Sequence, residues 1–152
     1  MSRSVWVASA LALVVGCVQL GCPPMGPIPG GRLSGERVDQ QVADWSFTDE
    51  IKNIQLETRP DAPYSVTTWC AAHDGGIYVG SGGGDKTSWA RYLLDDARVR
   101  VRIEGKIYDR SAVRVTNADE IQAVLRKLEM KYNFEMDDDD AAEGLLFRMD
   151  PR

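Results

Sequence analysis

Three consecutive glycines, Gly82-Gly83-Gly84, run into Asp85, Lys86, Thr87, Ser88 and Trp89. Glycines let backbone N–H groups approach a phosphate, a helix N-terminus favours negative charge, and Lys86 adds a countercharge. The spacing of glycine, lysine and hydroxyl is neither that of a Walker motif nor that of a dinucleotide fingerprint. Two readings stand: a loop gripping a phosphate through Lys86, Thr87 and Ser88, or a loop whose Asp85 caps the helix while Lys86 is solvated.

The other reactive side chains are sparse. His73 is the only histidine, so a histidine-based nucleophile system has to pair it with Cys70 or a serine. Cys70 and His73 straddle a strand end and a turn, and are expected to point in different directions. No metal centre is expected, since three or four Cys/His ligands are usual and the chain offers too few. Asp137 to Asp140 with Glu143 lack the alternating ligands and mid-loop glycine of a calcium loop, and read as a solvated acidic loop. Arg98, Arg100 and Arg102 recur at every second position, with Arg110 and Arg114 flanking them on the next segment. That row is either a solvated sheet face or a surface for anions or a docking protein.

These residues need a scaffold, and the sequence reads mainly as strands. Ile51 to Thr58 is the first, ended by Arg59-Pro60-Asp61-Ala62-Pro63, and Ser65 to Ala72 is the second. His73-Asp74-Gly75-Gly76 is a hairpin turn of the kind that supplies positive φ, leading into Ile77 to Ser81. Asp85 to Ala97 is expected to be a helix, with Trp89, Tyr92 and Leu93 on one face. Arg98 to Ile103 alternates arginine with Val99, Val101 and Ile103, and Glu104-Gly105-Lys106 turns it into Ile107 to Val115. Thr116 or Asn117 caps a second helix, Asp119 to Tyr132, whose stripe is Ile121, Val124, Leu125 and Leu128. Leu145 to Met149 is a closing strand. Val38, Val42 and Trp45 share a helical spacing within Glu36 to Phe47, which docks as a short helix or an irregular arm. Hairpins between consecutive strands imply antiparallel pairing, so the fold class is α+β with a small antiparallel barrel of about six strands and two helices.

The first residues are not part of that scaffold. Arg3, the apolar run Val5 to Val15, and Gly16 before Cys17 give the charged, apolar, small-residue order of a secretory signal. The run is about a dozen residues, whereas a bilayer core takes about twenty. Val14-Val15-Gly16-Cys17 resembles a bacterial lipobox, and Gln19-Leu20-Gly21-Cys22 is the alternative. The expected organisation is a signal peptide over 1–16 (alternatively 1–21), a Pro/Gly-rich tether over 17–35, and a barrel domain over 36–152. The protein is then exported and lipid-anchored in the bacterial cell envelope, facing the periplasm or the cell exterior. If Cys17 carries the lipid, Cys22 and Cys70 remain as a potential disulfide; if Cys22 carries it, Cys70 is alone. A mature chain of about 130 residues supports one domain and its core. A formal charge of −5 argues against a nucleic-acid partner, which requires clustered positive surface.

Ser65-Val66-Thr67-Thr68-Trp69, Gly75-Gly76-Ile77-Tyr78-Val79, the stretch Gly82 to Trp89, and Asp96-Ala97-Arg98-Val99-Arg100-Val101 together resemble the flavin-binding split β-barrel superfamily. That group includes pyridoxamine 5′-phosphate oxidase-like proteins and deazaflavin-dependent nitroreductases. The resemblance covers roughly 51–115. It implies a split barrel that binds FMN or a deazaflavin, with Lys86, Thr87 and Ser88 at the phosphate and Thr67, Thr68 and Trp69 beside the ring. It also implies an oxidoreductase passing hydride to a small-molecule acceptor, and a possible homodimer with the cofactor between subunits. Trp89 resembles the tryptophan after the phosphate loop in the deazaflavin group. The alternative is a non-catalytic envelope lipoprotein that keeps the barrel as a ligand-binding or protein-interaction module.

Overall fold

The structure is a computed structural model and describes residues 24–152. The expected signal peptide, both candidate lipidation sites Cys17 and Cys22, and the start of the expected tether lie outside the described residues. Eight strands are present: β1 (Glu36–Arg37), β2 (Ile54–Thr58), β3 (Tyr64–Thr68), β4 (Ala71–His73), β5 (Gly76–Ser81), β6 (Arg98–Ile103), β7 (Lys106–Arg114) and β8 (Leu145–Pro151). Among the described residues, three α-helices accompany them: α1 (Ser88–Asp95), α2 (Ala118–Tyr132) and α3 (Asp138–Glu143), with 3₁₀ turns at Ser46–Glu50 and Gly84–Lys86. The class is α+β, as expected, but the strand and helix counts exceed the six and two anticipated.

The sheet order is β3-β2-β6-β7-β8-β5-β4, antiparallel throughout, with β1 added parallel to β7. Strand β7 is long enough to share one edge: β1 pairs with Lys106 and Ile107, and β8 pairs from Arg110 to Arg114. The end strands β3 and β4 are consecutive in the chain, joined only by Trp69 and Cys70. So short a link spans about 10 Å at most. The two ends of the sheet therefore meet there, and the sheet curls into a half-barrel. The single strand expected over Ser65 to Ala72 is two strands for this reason, because the chain changes edges at Trp69.

Alternation along the strands sorts side chains into two cores. Leu56, Ile77, Val79, Val99, Val101, Phe147 and Met149 fill the inside of the curl with Trp45, Trp89 and Leu93. Ala71, Tyr78, Val115 and Leu146 face outward and are covered by Val124 and Leu128 of α2. The period-two pattern of β6 is realised as read: Val99, Val101 and Ile103 are at most 3% exposed. Its arginines are not a free basic face. Arg100 binds Glu57, Arg102 donates to Gln55, and Arg98 is held by Asp96. Arg110 does not flank them, because it pairs across from Val99 and so shares the inward face.

Turns and caps follow their residues. Asp74-Gly75 and Glu104-Gly105 carry positive φ at both positions, the requirement of a tight hairpin. Asn117 is the cap of α2, its side chain accepting from Glu120 N–H at 2.9 Å, and α2 ends on Asn133 in the left-handed region. The helix expected over Asp85 to Ala97 is interrupted by Thr87, extended at φ −82° and ψ 125°, with its Oγ1 accepting from Ser81 Oγ. The acidic stretch is not simply a loop, because Asp138–Glu143 forms α3. Aspartates suit a first helical turn, where they complement the dipole.

The arm before β2 is irregular, with Trp45 buried and Val38 and Val42 packed against the core. The tether expected to end at residue 35 is already docked at Gly30, which pairs with Ser65, and at Leu33, which is 2% exposed. One apolar side chain and one buried carboxylate, Glu57, are enough to hold the arm down.

Candidate functional site

A hollow of about 440 Å³ lies outside the curl between the ends of β5, β7 and β8 and the helices α2 and α3. Ile121, Leu125 and Leu128 of α2 form one wall, and Leu145 and Leu146 of β8 form another. Gly80 on β5 leaves room between them, and Ala141 and Ala142 bring α3 over the top. Trp69 and Phe134 supply an aromatic side. Its polar contributions include Ser81, Thr116 and Arg114 at the rim.

A second hollow of about 290 Å³ adjoins it, and Arg114 and Leu145 line both. Its other walls are Gly83, Asp85, Lys86, Leu94 and Glu143, so the glycine-rich loop stands beside the cavity rim. The combination is an apolar, partly aromatic chamber with a basic exit. Arg114 is exposed and makes no ion pair with any described residue. Lys86 is different. Its Nζ lies 2.5 Å from Glu143 Oε2, and that carboxylate pushes the ammonium pKa up.

The residues singled out in the sequence divide accordingly. Trp69 lines the cavity, is 43% exposed, and stacks on Tyr132 with centroids 4.3 Å apart and planes 7° from parallel. Lys86 reaches the adjoining hollow. Thr87 is bonded to Ser81, and Ser88 opens α1 beside the Tyr64 hydroxyl. Thr67 and Thr68 sit on β3 opposite Gln55 and Ile54, and line neither hollow. Trp89 is core, 7% exposed. Arg114 was anticipated only as a flank of the arginine row, a surface for anions or a docking protein, and Phe134 and the α2 leucines were not anticipated at a site. The α2 stripe was visible, but a stripe facing a cavity has the same spacing as one facing a core.

Tyr132 fixes the aromatic wall. Its hydroxyl accepts from Cys70 N–H at 3.0 Å and donates to the Lys52 carbonyl at 2.9 Å, and burial pushes its pKa up to about 12. Cys70 itself is fully buried, and desolvation raises its thiol pKa despite Lys131 beside it. A thiol held protonated in the core is a poor nucleophile. His73 lies on the hairpin by Asp74 and Tyr78, away from that thiol's contacts. Among the described residues no group of three or more His, Cys, Asp or Glu is placed to hold a metal ion. Among them, too, no helix is long and apolar enough to cross a membrane.

Fold and cavity together define an α+β protein of split-barrel type with a ligand-sized chamber against its outer face. Neither a protein-family model nor a curated protein sequence matches the chain. Solved structures do share its fold. A conserved hypothetical protein from Mycobacterium tuberculosis is 19% identical, with a TM-score of 0.58 over 76% of this chain and 86% of that one. A protein assigned as a pyridoxamine 5′-phosphate oxidase, from Listeria innocua, is 13% identical with a TM-score of 0.55, covering 68% of this chain and 86% of that one. The heme storage protein HutZ from Vibrio cholerae is 20% identical with a TM-score of 0.52, covering 70% and 85%. At these identities the likeness is one of fold.

Proposed function

We propose that this protein is an exported, lipid-anchored envelope protein whose split barrel binds a planar, anionic cofactor of flavin type, FMN or a deazaflavin. The carrying observation is the 440 Å³ cavity with aromatic Trp69 and Phe134 at one side and the unpaired Arg114 at its rim. Its size and apolar lining are those of small-molecule sites, in which a few polar groups fix orientation. The names of two fold neighbours concern pyridoxamine 5′-phosphate and heme, both planar heteroaromatic and anionic, which supports the same ligand chemistry here.

The residues fit such a group in part. Arg114 is free to meet an anionic end, whereas the Lys86 charge is already answered by Glu143. A bound flavin would supply hydride or electron transfer; the chain supplies binding, orientation and exclusion of water. A redox-inert occupant would make the same barrel a non-catalytic binding module. The anchor would be lipid on Cys17 or, alternatively, on Cys22.

The test is an absorbance spectrum of protein purified from its own envelope, followed by titration of the apoprotein with FMN. A flavin or deazaflavin band, or saturable FMN binding weakened about tenfold or more by Arg114→Ala, is expected. No chromophore and no FMN affinity at high micromolar concentration would sink the proposal. Reoxidation of the bound, reduced chromophore by a quinone or nitro compound separates the oxidoreductase from the binding module.

A further inference from the structure

Arg110 is 4% exposed, yet its guanidinium has no ion pair and no hydrogen bond to any described residue, and its Nε is wholly shielded without a partner. A buried charge in that condition is costly, because the through-space attraction of Asp109 offsets only part of the desolvation. Cation–π contacts offset part of the cost: the guanidinium carbon is 4.9 Å from the Trp45 ring centre and 5.9 Å from that of Tyr108. The nearest carboxylate along the chain, Asp109, is engaged elsewhere. It lies 2.6 Å from Arg37, 3.8 Å from Arg100 and 4.0 Å from Arg152.

Arg110 also lines a polar hollow of about 120 Å³, bounded by Arg37, Gln40, Gln41, Asp109 and Arg152 as well. It shares no residue with the cavity described above. Asp39 completes the rim, tied to Arg37 at 3.3 Å. Three arginines against two aspartates leave an excess of positive charge around a space walled by amide donors. A hollow of this size has room for one small oxyanion together with water. Burial also holds the Arg110 guanidinium below its usual pKa range, which an anion seated there would reverse.

We infer that this hollow is a binding site for one small oxyanion of phosphate type, with Arg110 as its buried ligand and Arg37 and Arg152 closing over it. A guanidinium offers paired N–H donors that match two oxygens of a phosphate, and here one face is already fixed by Trp45. The anion would complete the charge balance of the arm that carries Gln40 and Gln41, and so couple arm docking to anion binding. Free phosphate and an esterified phosphate present the same oxygens to Arg110.

The full chain, kept in detergent, is titrated with inorganic phosphate and separately with glycerol phosphate at ionic strength matched by chloride. The readout is the Arg110 Nε–H signal in ¹⁵N spectra, identified as the one missing in Arg110→Lys. A saturable shift with phosphate is expected. Affinity should fall at least about tenfold in Arg110→Met, which keeps the packing on Trp45 but removes the charge. Equal binding of glycerol phosphate points to an esterified source, and binding of phosphate alone points to the free anion. A shift reproduced by chloride, no saturable shift, or an unchanged affinity in Arg110→Met overturns the site. Should Arg110→Met not fold, the wild-type titration decides.

Discussion

The carboxylate of Glu57, 2% exposed, faces Arg100 across the β2–β6 pair and accepts from its Nη1 at 2.9 Å. Glu57 also accepts from Leu33 N–H at 2.5 Å, while Arg100 donates to the Leu33 carbonyl at 3.1 Å. A buried carboxylate and a part-buried guanidinium thus hold both polar groups of one arm residue, and departure of the arm would leave the Leu33 N–H and carbonyl without these partners. Glu57→Gln should cost about 1 to 2 kcal/mol, since Arg100 keeps Asp109 at 3.8 Å but loses the nearer carboxylate, and the Leu33 N–H loses a charged acceptor. Urea unfolding measures the loss, and faster amide exchange at Leu33 reports release of the arm. A change within about 0.5 kcal/mol, the range of ordinary surface substitutions, would show the clip to be incidental.

A second prediction concerns alkaline pH. The Tyr78 hydroxyl donates to Glu120 Oε1 at 2.8 Å, and burial followed by the Glu120 carboxylate pushes its pKa from 10.0 up to about 12. The unfolded chain releases this proton near pH 10 and the folded chain holds it to about 12. Between those values the folded state binds more protons, so stability falls as pH rises. The contribution is fully present below pH 10. Denaturant midpoints from pH 9 to 12 should decline, and Tyr78→Phe should flatten the slope, though Tyr132 adds a similar contribution in the same window. An identical slope in the variant would remove Tyr78 from the explanation.

Much of the scaffold is legible because local signals and tertiary demands coincide in it. The alternation of Arg98 to Ile103, the cap at Asn117 and the two hairpins at Asp74-Gly75 and Glu104-Gly105 each state their own structure. What stays hidden depends on closure of the sheet. The β3 pattern runs unbroken into β4, and only the curl decides that the chain must change edges at Trp69. Arg110 illustrates the same limit. Its place beside an arginine row in sequence says nothing of its inward face, which follows from pairing with Val99. The site is less legible still, since Leu125 and Leu128 have the spacing of core residues and α3 arises from a run of aspartates.

The Lys86–Glu143 pair yields a test of the loop reading. Both side chains are largely exposed, 73% and 60%, so Lys86→Ala should leave stability almost unchanged. Glu143→Gln removes the competing carboxylate from the hollow shared with Arg114. If the Lys86 loop takes the anionic end of a ligand, this variant should bind FMN several-fold more tightly, an effect Lys86→Ala should reverse. Affinity unchanged in both variants would leave Arg114 as the anion contact and the loop as a structural connection.

Gly84 ties that loop to the helix above the cavity. It has φ +56°, and a Cβ there would collide with the Glu143 carbonyl at the end of α3. Gly84→Ala therefore has two costs, a left-handed backbone for a residue with a side chain and a backbone contact that must open. Together they should destabilise the protein by about 1 to 3 kcal/mol. The strain is best relieved by displacing α3, which carries Ala141 and Ala142 over the cavity. Amide exchange in α3 should therefore rise more than in α2, and ligand affinity should fall with it. Uniform destabilisation with α3 exchange unchanged relative to α2 would mean that the loop and the helix are not coupled through this contact.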